Sequence, residues 1–515
     1  MSAPAKTDAA GLPAQRRLKI AFASAEISPY CASGGLGEVA GALPRALAKL
    51  GHDVAVFFPL YRLARRNIAN DGATLQDTGA ICTVQLGNRR VDSRWLQVHP
   101  PAHAQSHESG SAGSLTVYAL DCPSLFDRDG LYGHDDDCAR FSTFSRGVLA
   151  SAAWLMRGPP NVFHCHDWHS ALIPVFLRGA YRARLPNSAS VLTIHNLAYQ
   201  GVFPAEMLPL AGFGPEAFHP ELLEFHGRQN WLKAGIASAQ AITTVSPRYA
   251  DEIRTPAFGE RLDGVLRAHG SRLVGIVNGI DTDLWNPQND HNLISRFSRQ
   301  DLSGKRLCRR HLLEMARMDP DDPRPVVGIV SRFAAQKGLD LVAELVPYLA
   351  GRGVRILLLG QGEPAIERWF QHLEAGFGQH VRVQLAHDPV LAHQVLAGAD
   401  MTLMPSRYEP CGLSQLYSLR FGTIPVVRGV GGLVDTVVPL TPKTLSEGTA
   451  TGFVFEHDTL DGLRWAMDQA MSTFYERPAQ WQALQRNGMA QDLSWRLSAQ
   501  KYEQVFRFAV DRAGQ

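Results

Sequence analysis

The stretch EISPYCASGGLGEVAGALPRAL, residues 26–47, follows the apolar run LKIAFASA and passes into an alanine- and leucine-rich pattern. The run predicts a first strand and the later residues a helix, so Ser33-Gly34-Gly35-Leu36-Gly37 becomes a glycine-rich strand-to-helix turn. Such a turn either brings backbone N–H groups close to a ligand or only makes a tight corner, and it contains no lysine or arginine. Working outward, the same alternation continues. HDVAVFFP, LTVYALD, NVFHCH, SVLTIHN, AQAITTVS and RLVGIVNG fill the first half; PVVGIVS, VRILLLG, VRVQLAH, DMTLMPS and TIPVVRG fill the second. Continuous apolar strands separated by helical segments predict parallel sheets covered on both faces. A chain of 515 residues is too long for one ordinary core, and the strands are too many for one sheet. The expected fold class is therefore α/β, with two Rossmann-like doubly wound domains whose strand carboxyl ends face ligands across a cleft.

Composition narrows the function classes. Apolar residues make up 45% and charged residues 19%, a globular balance, and the net charge of +2 gives no footprint for nucleic acid or an acidic membrane surface. Seven scattered cysteines without a CxxC pair favour reduced thiols and a cytoplasmic location over a disulfide scaffold. No run approaches about 18 uninterrupted apolar residues, so no membrane span is expected. The first seventeen residues, MSAPAKTDAAGLPAQRR, lack an apolar core and predict a disordered leader, not a signal peptide. AHAQSHESGSAG, starting at residue 102, predicts an exposed hairpin loop, and NGIDTDLWNPQND, residues 278–290, predicts a linker.

Three constellations carry chemistry. NVFHCHDWHSALIP holds His164, His166, Asp167 and His169, and strand alternation places His164 and His166 on one face. H-x-H-D-x-H suits a metal site, as in metal-dependent hydrolases. It equally suits a strand end meeting an uncharged, hydrogen-bonding ligand such as a sugar, or histidines satisfied by neighbouring backbone. IVSRFAAQKGLDLV sets Arg332 and Lys337 between a strand ending at Val330 or Ser331 and a helix beginning near Gly338. Two cations beside the positive end of a helix suit a diphosphate; the plain alternative is a pair of solvated charges. In MPSRYEPCGLSQLYSLRFGTIPVVRGVGGLVDTV, Glu409 lies between a strand end and a helix, placed to accept hydrogen bonds from sugar hydroxyls. Gly429 and then Gly431-Gly432 follow the next strand as a second bare backbone cradle for phosphate.

SGGLGEVAGALPRAL, HCHDWHSAL, TIHNLAYQGVFP, KAGIASAQAITTVSPRYADEI, VNGIDTDLWNP, SRFAAQKGLDL, the EPCGL-containing segment and TGFVFE occur in this order over nearly the whole chain. The series resembles the bacterial glycogen synthase and plant starch synthase family of retaining glycosyltransferases. The resemblance implies a GT-B fold, with two Rossmann-like domains facing a deep cleft. It implies glucose transfer from ADP-glucose to the non-reducing end of an α-1,4-glucan, with no metal and no cofactor. The implied partners are a nucleotide sugar and glycogen or another α-1,4-glucan; no nucleic acid, membrane or obligate protein partner is expected. The implied organisation is a leader over 1–17, an acceptor domain over 18–280, a nucleotide-sugar domain over 281–490, and a last helix within 491–515 that crosses back to the first domain.

Carried over residue by residue, His166 would meet the transferred glucose, Arg332 and Lys337 the leaving diphosphate, and Glu409 the glucose. Ser33, Gly34, Gly35, Gly360, His387, Cys411, Gly412, Leu413, Gly431 and Gly432 would line the donor. Glu38, Asn196, Tyr199 and Gln200 would line the acceptor or glucose side. The chain departs from the family pattern at Ala32, where a lysine is usual, at Glu38 for Asp, at Val430 for Thr and at His387 for Tyr. These departures leave the nucleotide preference open, with UDP-glucose as the alternative donor; Arg428 is a candidate to replace the missing lysine. A metal-dependent hydrolase built on HCHDWH and a non-catalytic glucan-binding protein are the rival classes. The hydrolase leaves Arg332, Lys337 and Glu409 unexplained, and the intact Lys337 and Glu409 argue against the binding protein.

Overall fold

The computed structural model describes residues 17–101 and 113–514. The leader up to residue 16 and residues 102–112 of the expected hairpin loop (102–113) lie outside the described residues. In chain order the strands of the first half are β1 (Lys19–Ala23), β2 (Asp53–Pro59), β3 (Thr74–Leu86), β4 (Arg89–His99), β5 (Ser114–Asp121), β6 (Val162–His166) and β7 (Ala189–Ile194). There follow β8 (Val202–Pro204), β9 (Glu224–Phe225), β10 (Arg228–Asn230), β11 (Ala241–Thr244) and β12 (Leu273–Gly275). The second half supplies β13 (Val326–Val330), β14 (Arg355–Gly360), β15 (Val381–Leu385), β16 (Met401–Met404), β17 (Ile424–Arg428) and β18 (Phe453–Phe455).

Among the described residues the first sheet runs β12-β11-β7-β6-β1-β2-β5-β4-β3 and the second β15-β14-β13-β16-β17-β18, with β8-β10-β9 a small third sheet. The second sheet is parallel throughout. The first is parallel around β1 and β6 but ends in antiparallel β5-β4-β3, an edge the apolar-run reading missed. The reason is physical: β3 and β4 alternate buried and exposed residues, because that edge is covered on one face only. Fully apolar runs such as DVAVFFP and VRILLLG are buried along almost their whole length, as two-sided coverage requires.

The chain forms two compact units: residues up to Thr243 with Gly259–Val274 and the chain from Ala499, and Thr244–Phe258 with Gly275–Ser498. Residues 278–290, expected as a linker, lie inside the second unit. Trp285 stacks between His393 and Tyr417 at 3.9 and 3.8 Å, and Asp290 accepts a 2.5 Å contact from His393, so aromatic packing anchors this polar segment. The last helix, Trp495–Ala513, sets the rings of Tyr502 and Phe506 5.3 and 5.0 Å from His164 of β6.

The parallel part of each sheet grows outward in two directions from one point: between β1 and β6 in the first, between β13 and β16 in the second. Loops leaving the carboxyl ends of such neighbours diverge and leave a crevice, where ligands of open α/β sheets bind. The glycine turn and HDWH leave the first pair; the Arg332–Lys337 loop and the Glu409 loop leave the second.

Candidate active site

In the second unit the neighbouring ends of β13 and β16 bring together residues far apart in sequence. A short turn, Ala335–Lys337, precedes the helix Leu339–Gly351. Lys337 Nζ donates to Glu409 Oε2 at 2.6 Å, and Ser406 Oγ donates to the same oxygen at 3.0 Å. The Glu409 side chain is 6% exposed and that of Lys337 18%, so the pair sits in poorly solvated surroundings where charge contacts are strong. Arg332 is exposed, and among the described residues its guanidinium has no partner. The two loops are joined by one main-chain and one side-chain bond: Arg407 N donates to Gln336 O at 2.8 Å, and Gln336 Nε2 donates to Tyr408 O at 3.1 Å. Arg428, considered as a substitute cation, donates instead to the carbonyls of Arg407 at 2.7 Å and Ser406 at 3.4 Å.

The rest of the expected donor set divides. Cys411 is buried beside Glu409, and burial pushes its thiol up to about 12, so it carries no thiolate. Gly412 takes a left-handed φ of 72°, and Leu413 stands at the start of the helix Ser414–Arg420. Gly360 closes β14. His387 lies exposed in the loop after edge strand β15, without a hydrogen-bond or ring partner among the described residues. The second glycine cradle is not open as expected. Gly431 N donates to both carboxylate oxygens of Glu252, at 3.0 and 3.1 Å, and Gly432 N donates to the Glu409 carbonyl at 3.0 Å. A side chain from the helix Pro247–Glu252 thus occupies the place assigned to phosphate.

In the first unit the glycine turn meets a carboxylate of its own. Ser33 N and Oγ donate to Glu26 at 2.6 and 2.7 Å, and Tyr132 Oη adds a third bond at 2.7 Å. Ser33 is committed to this buried acid, while Gly34 and Gly35 open the helix Gly35–Lys49 as exposed backbone. Glu38 is exposed and accepts from Ser28 Oγ at 2.9 Å.

His164 and His166 share a face of β6, their rings 4.1 Å apart. His164 Nε2 meets Thr193 Oγ1 at 2.7 Å, and His166 Nδ1 meets His195 Nε2 at 2.8 Å. His166 Nε2 is buried without a hydrogen-bond partner among the described residues. Burial holds His166 well below the usual imidazole range, and it stays neutral at pH 7. Asp167 has φ of 51° and accepts from His195 N at 2.7 Å; burial raises its carboxyl to about 7. Among the described residues no group of three or more His, Cys, Asp or Glu side chains is arranged to hold a metal ion, so the hydrolase alternative finds no ligand set.

A pocket of about 350 Å³ in the same unit is lined by His134, Asp137, Trp168, Tyr199, Gln200 and Phe203, among others. Tyr199 is 54% exposed there. Gln200 contributes shape more than polarity: its amide donates to Glu260 O at 2.9 Å and accepts from Asn230 Nδ2 at 2.6 Å. Gly201, at φ 63°, lets the loop press onto Trp168, since a Cβ there would lie 2.5 Å from the indole. Asn196 Oδ1 accepts from Ala198 N at 3.1 Å, within the loop that leads to Tyr199. Sequence reasoning missed Glu26, His195, Glu252, His134 and Asp137. Only His195, in TIHN beside Asn196, carried a local signal.

Residues 19–268 match the starch synthase catalytic domain family, and residues 314–486 the glycosyl transferases group 1 family. Glycogen synthase of Koribacter versatilis is 40% identical over 504 residues, 96% of this chain and 98% of that protein. Glycogen synthase of Myxococcus xanthus is 42% identical over 503 residues, 96% of this chain and all of that one. Among solved structures, the catalytic domain of starch synthase IV from Arabidopsis thaliana, bound to ADP and acarbose, matches with a TM-score of 0.87 and 30% identity over 96% of this chain and 100% of that one. A sucrose-phosphate synthase from Thermosynechococcus elongatus, at 18% identity and a TM-score of 0.57, shares the fold. The chain belongs to the bacterial glycogen synthase and plant starch synthase family of glycosyltransferases.

Proposed function

We propose that the protein is a glycogen synthase that transfers glucose from ADP-glucose to the non-reducing end of an α-1,4-glucan with retention of configuration. The observation that carries this reading is the Lys337–Glu409 pair, beside exposed Arg332, at the switch point of the second sheet. Breaking the anomeric C–O bond puts positive charge on the sugar and extra negative charge on the diphosphate. Lys337 and Arg332 stabilise the second charge and Glu409 the first, and preplaced charges of this kind are usually the largest catalytic contribution. The relative from Arabidopsis, solved with ADP, supports the adenine nucleotide.

The first unit supplies groups suited to an uncharged substrate. His166 offers a neutral nitrogen to the transferred glucose, and the Trp168–Tyr199 pocket offers aromatic faces and polar edges to the glucan. Among the described residues Glu409 is bonded to Lys337 and Ser406 and has no carboxylate partner of the kind a retaining glycosidase pairs. The acceptor hydroxyl therefore attacks from the face the nucleotide leaves, and the departing phosphate takes its proton. The reaction needs no cofactor beyond the nucleotide sugar. A cytoplasmic setting fits the seven free, buried cysteines; no helix among the described residues is long and apolar enough to cross a membrane.

The test is a donor panel of ADP-, UDP- and GDP-glucose with glycogen as acceptor. Incorporation from ADP-glucose, in linkages cut by an α-1,4-specific hydrolase, is expected. A folded protein that transfers from none of the three donors overturns the reading, and a preference for UDP-glucose overturns its choice of nucleotide.

A further inference from the structure

Glu252 lies 179 residues before the glycine it holds, on a helix that neither the diphosphate chemistry nor the sugar chemistry uses. Its side chain is 6% exposed. Both oxygens receive the Gly431 N–H, and one also accepts from Arg248 Nε at 2.9 Å. The helix Gly431–Thr436 returns the favour: Asp435 Oδ2 accepts from Ser246 Oγ at 2.5 Å and from Arg248 N at 3.0 Å. The two short helices thus cap each other's N-termini with carboxylates, an arrangement that fixes one against the other.

What this fixed end touches is the backbone of the Glu409 loop. Gly431 sits at φ 45°, and a Cβ there would fall 1.9 Å from the Glu409 carbonyl oxygen; one at Gly432 would fall 2.1 Å from that of Cys411. The Gly432 N–H donates to the Glu409 carbonyl. The main chain bearing Glu409 therefore rests on the surface that Glu252 holds in place.

We propose that Glu252 is a positioning residue for Glu409: it fixes the Gly431–Gly432 backbone, which fixes the Glu409 main chain and so the aim of its carboxylate. This rests on the role given above to Glu409. Arg332 and Lys337 stand on the neighbouring β13 loop, to which Glu252 makes no hydrogen bond among the described residues, so loss of Glu252 lowers turnover far more than it weakens donor binding.

The test compares Glu252→Gln and Glu252→Ala with wild type by amide hydrogen exchange and by steady-state kinetics. Gln keeps one acceptor oxygen and the side-chain shape, so it remains informative should Ala fail to fold. Faster exchange over Tyr408–Leu413 and Gly431–Gly432 is expected, with kcat falling in the order wild type, Gln, Ala. The Ala variant loses on the order of 100-fold, as for a displaced catalytic group, while KM for ADP-glucose is unchanged. Unchanged exchange in that loop overturns the proposal whatever the activity. So does faster exchange with wild-type kcat, or a loss confined to KM. If wild type itself transfers no glucose, the functional reading fails, and the exchange data still decide whether Glu252 holds the Glu409 loop.

Discussion

The two sheets end their central strands in opposite chemistry. At the β1–β6 end of the first, the histidines are buried and neutral; of the acids beside them, Glu26 is held by Ser33 and Tyr132, and Asp167 accepts from His195 N. At the β13–β16 end of the second, Lys337 is paired with Glu409 and Arg332 stands exposed without a partner among the described residues. The same topology thus presents hydrogen-bonding groups in one unit and charge in the other. Both glycine cradles that looked ready for phosphate are met by the protein's own carboxylates, Glu26 and Glu252. On the proposed reading, the diphosphate therefore relies on side-chain cations more than on these two turns.

The largest expected effect strikes the charged end. Lys337→Ala lowers the rate of glucose transfer by roughly 100- to 1,000-fold with the fold intact, as for loss of one preplaced stabiliser in a water-poor site. Arg332→Ala acts in the same direction, and the double variant falls short of the sum because both cations act on one diphosphate. Near-normal turnover in folded Lys337→Ala breaks the comparison.

Glu409→Gln comes next. It removes the negative charge beside the developing sugar cation and also frees Lys337 from its 2.6 Å partner. Turnover falls steeply, while ADP binds as well as to wild type or more tightly. Weaker ADP binding would show that Glu409 holds the nucleotide. Cys411→Ser is mild by contrast, because a thiol raised to about 12 has no covalent part to play; abolished activity in that variant would reverse the two roles.

The neutral end is tested by acid. The unfolded chain takes up protons on its histidines below about pH 6.5. In the folded protein burial lowers His195 to about 3 and holds His164 and His166 well below their usual range. Stability present above pH 6.5 is therefore lost as pH falls, by up to about 1.4 kcal/mol per pH unit for each histidine. Asp167 works the other way. Raised to about 7, it keeps its proton in the fold where the unfolded chain releases it near 4, so its contribution declines as pH rises from 4 to 7. The histidines outnumber it, and net stability falls on acidification. Asp167→Asn removes the opposing effect and steepens the acid loss. A melting temperature that rises from pH 7 to pH 5 contradicts this balance.

Much of this was legible in the sequence, and what was not has a common cause. Strands buried on both faces announce themselves as apolar runs; β3 and β4 do not, because an edge covered on one side alternates. The segment around Trp285 looked like a linker because its polar residues hide one tryptophan sandwiched by His393 and Tyr417. Arg332, Lys337, Glu409 and His166 could be placed from their positions at strand ends, which is local information. The partners that decide their states, Glu26 for the first glycine turn, His195 for His166 and Glu252 for Gly431, arrive through tertiary packing that no local pattern encodes.

On the proposed reading, the second unit's cations hold the diphosphate and the first unit's neutral histidine does not. Calorimetric titration of ADP, which carries the diphosphate without the sugar, into wild type, Lys337→Ala and His166→Ala tests it most directly. Lys337→Ala should weaken ADP by on the order of 10- to 100-fold, as loss of a hydrogen bond to a charged group does, with His166→Ala binding like wild type. Equal binding by Lys337→Ala and wild type, with loss in His166→Ala, would contradict the account.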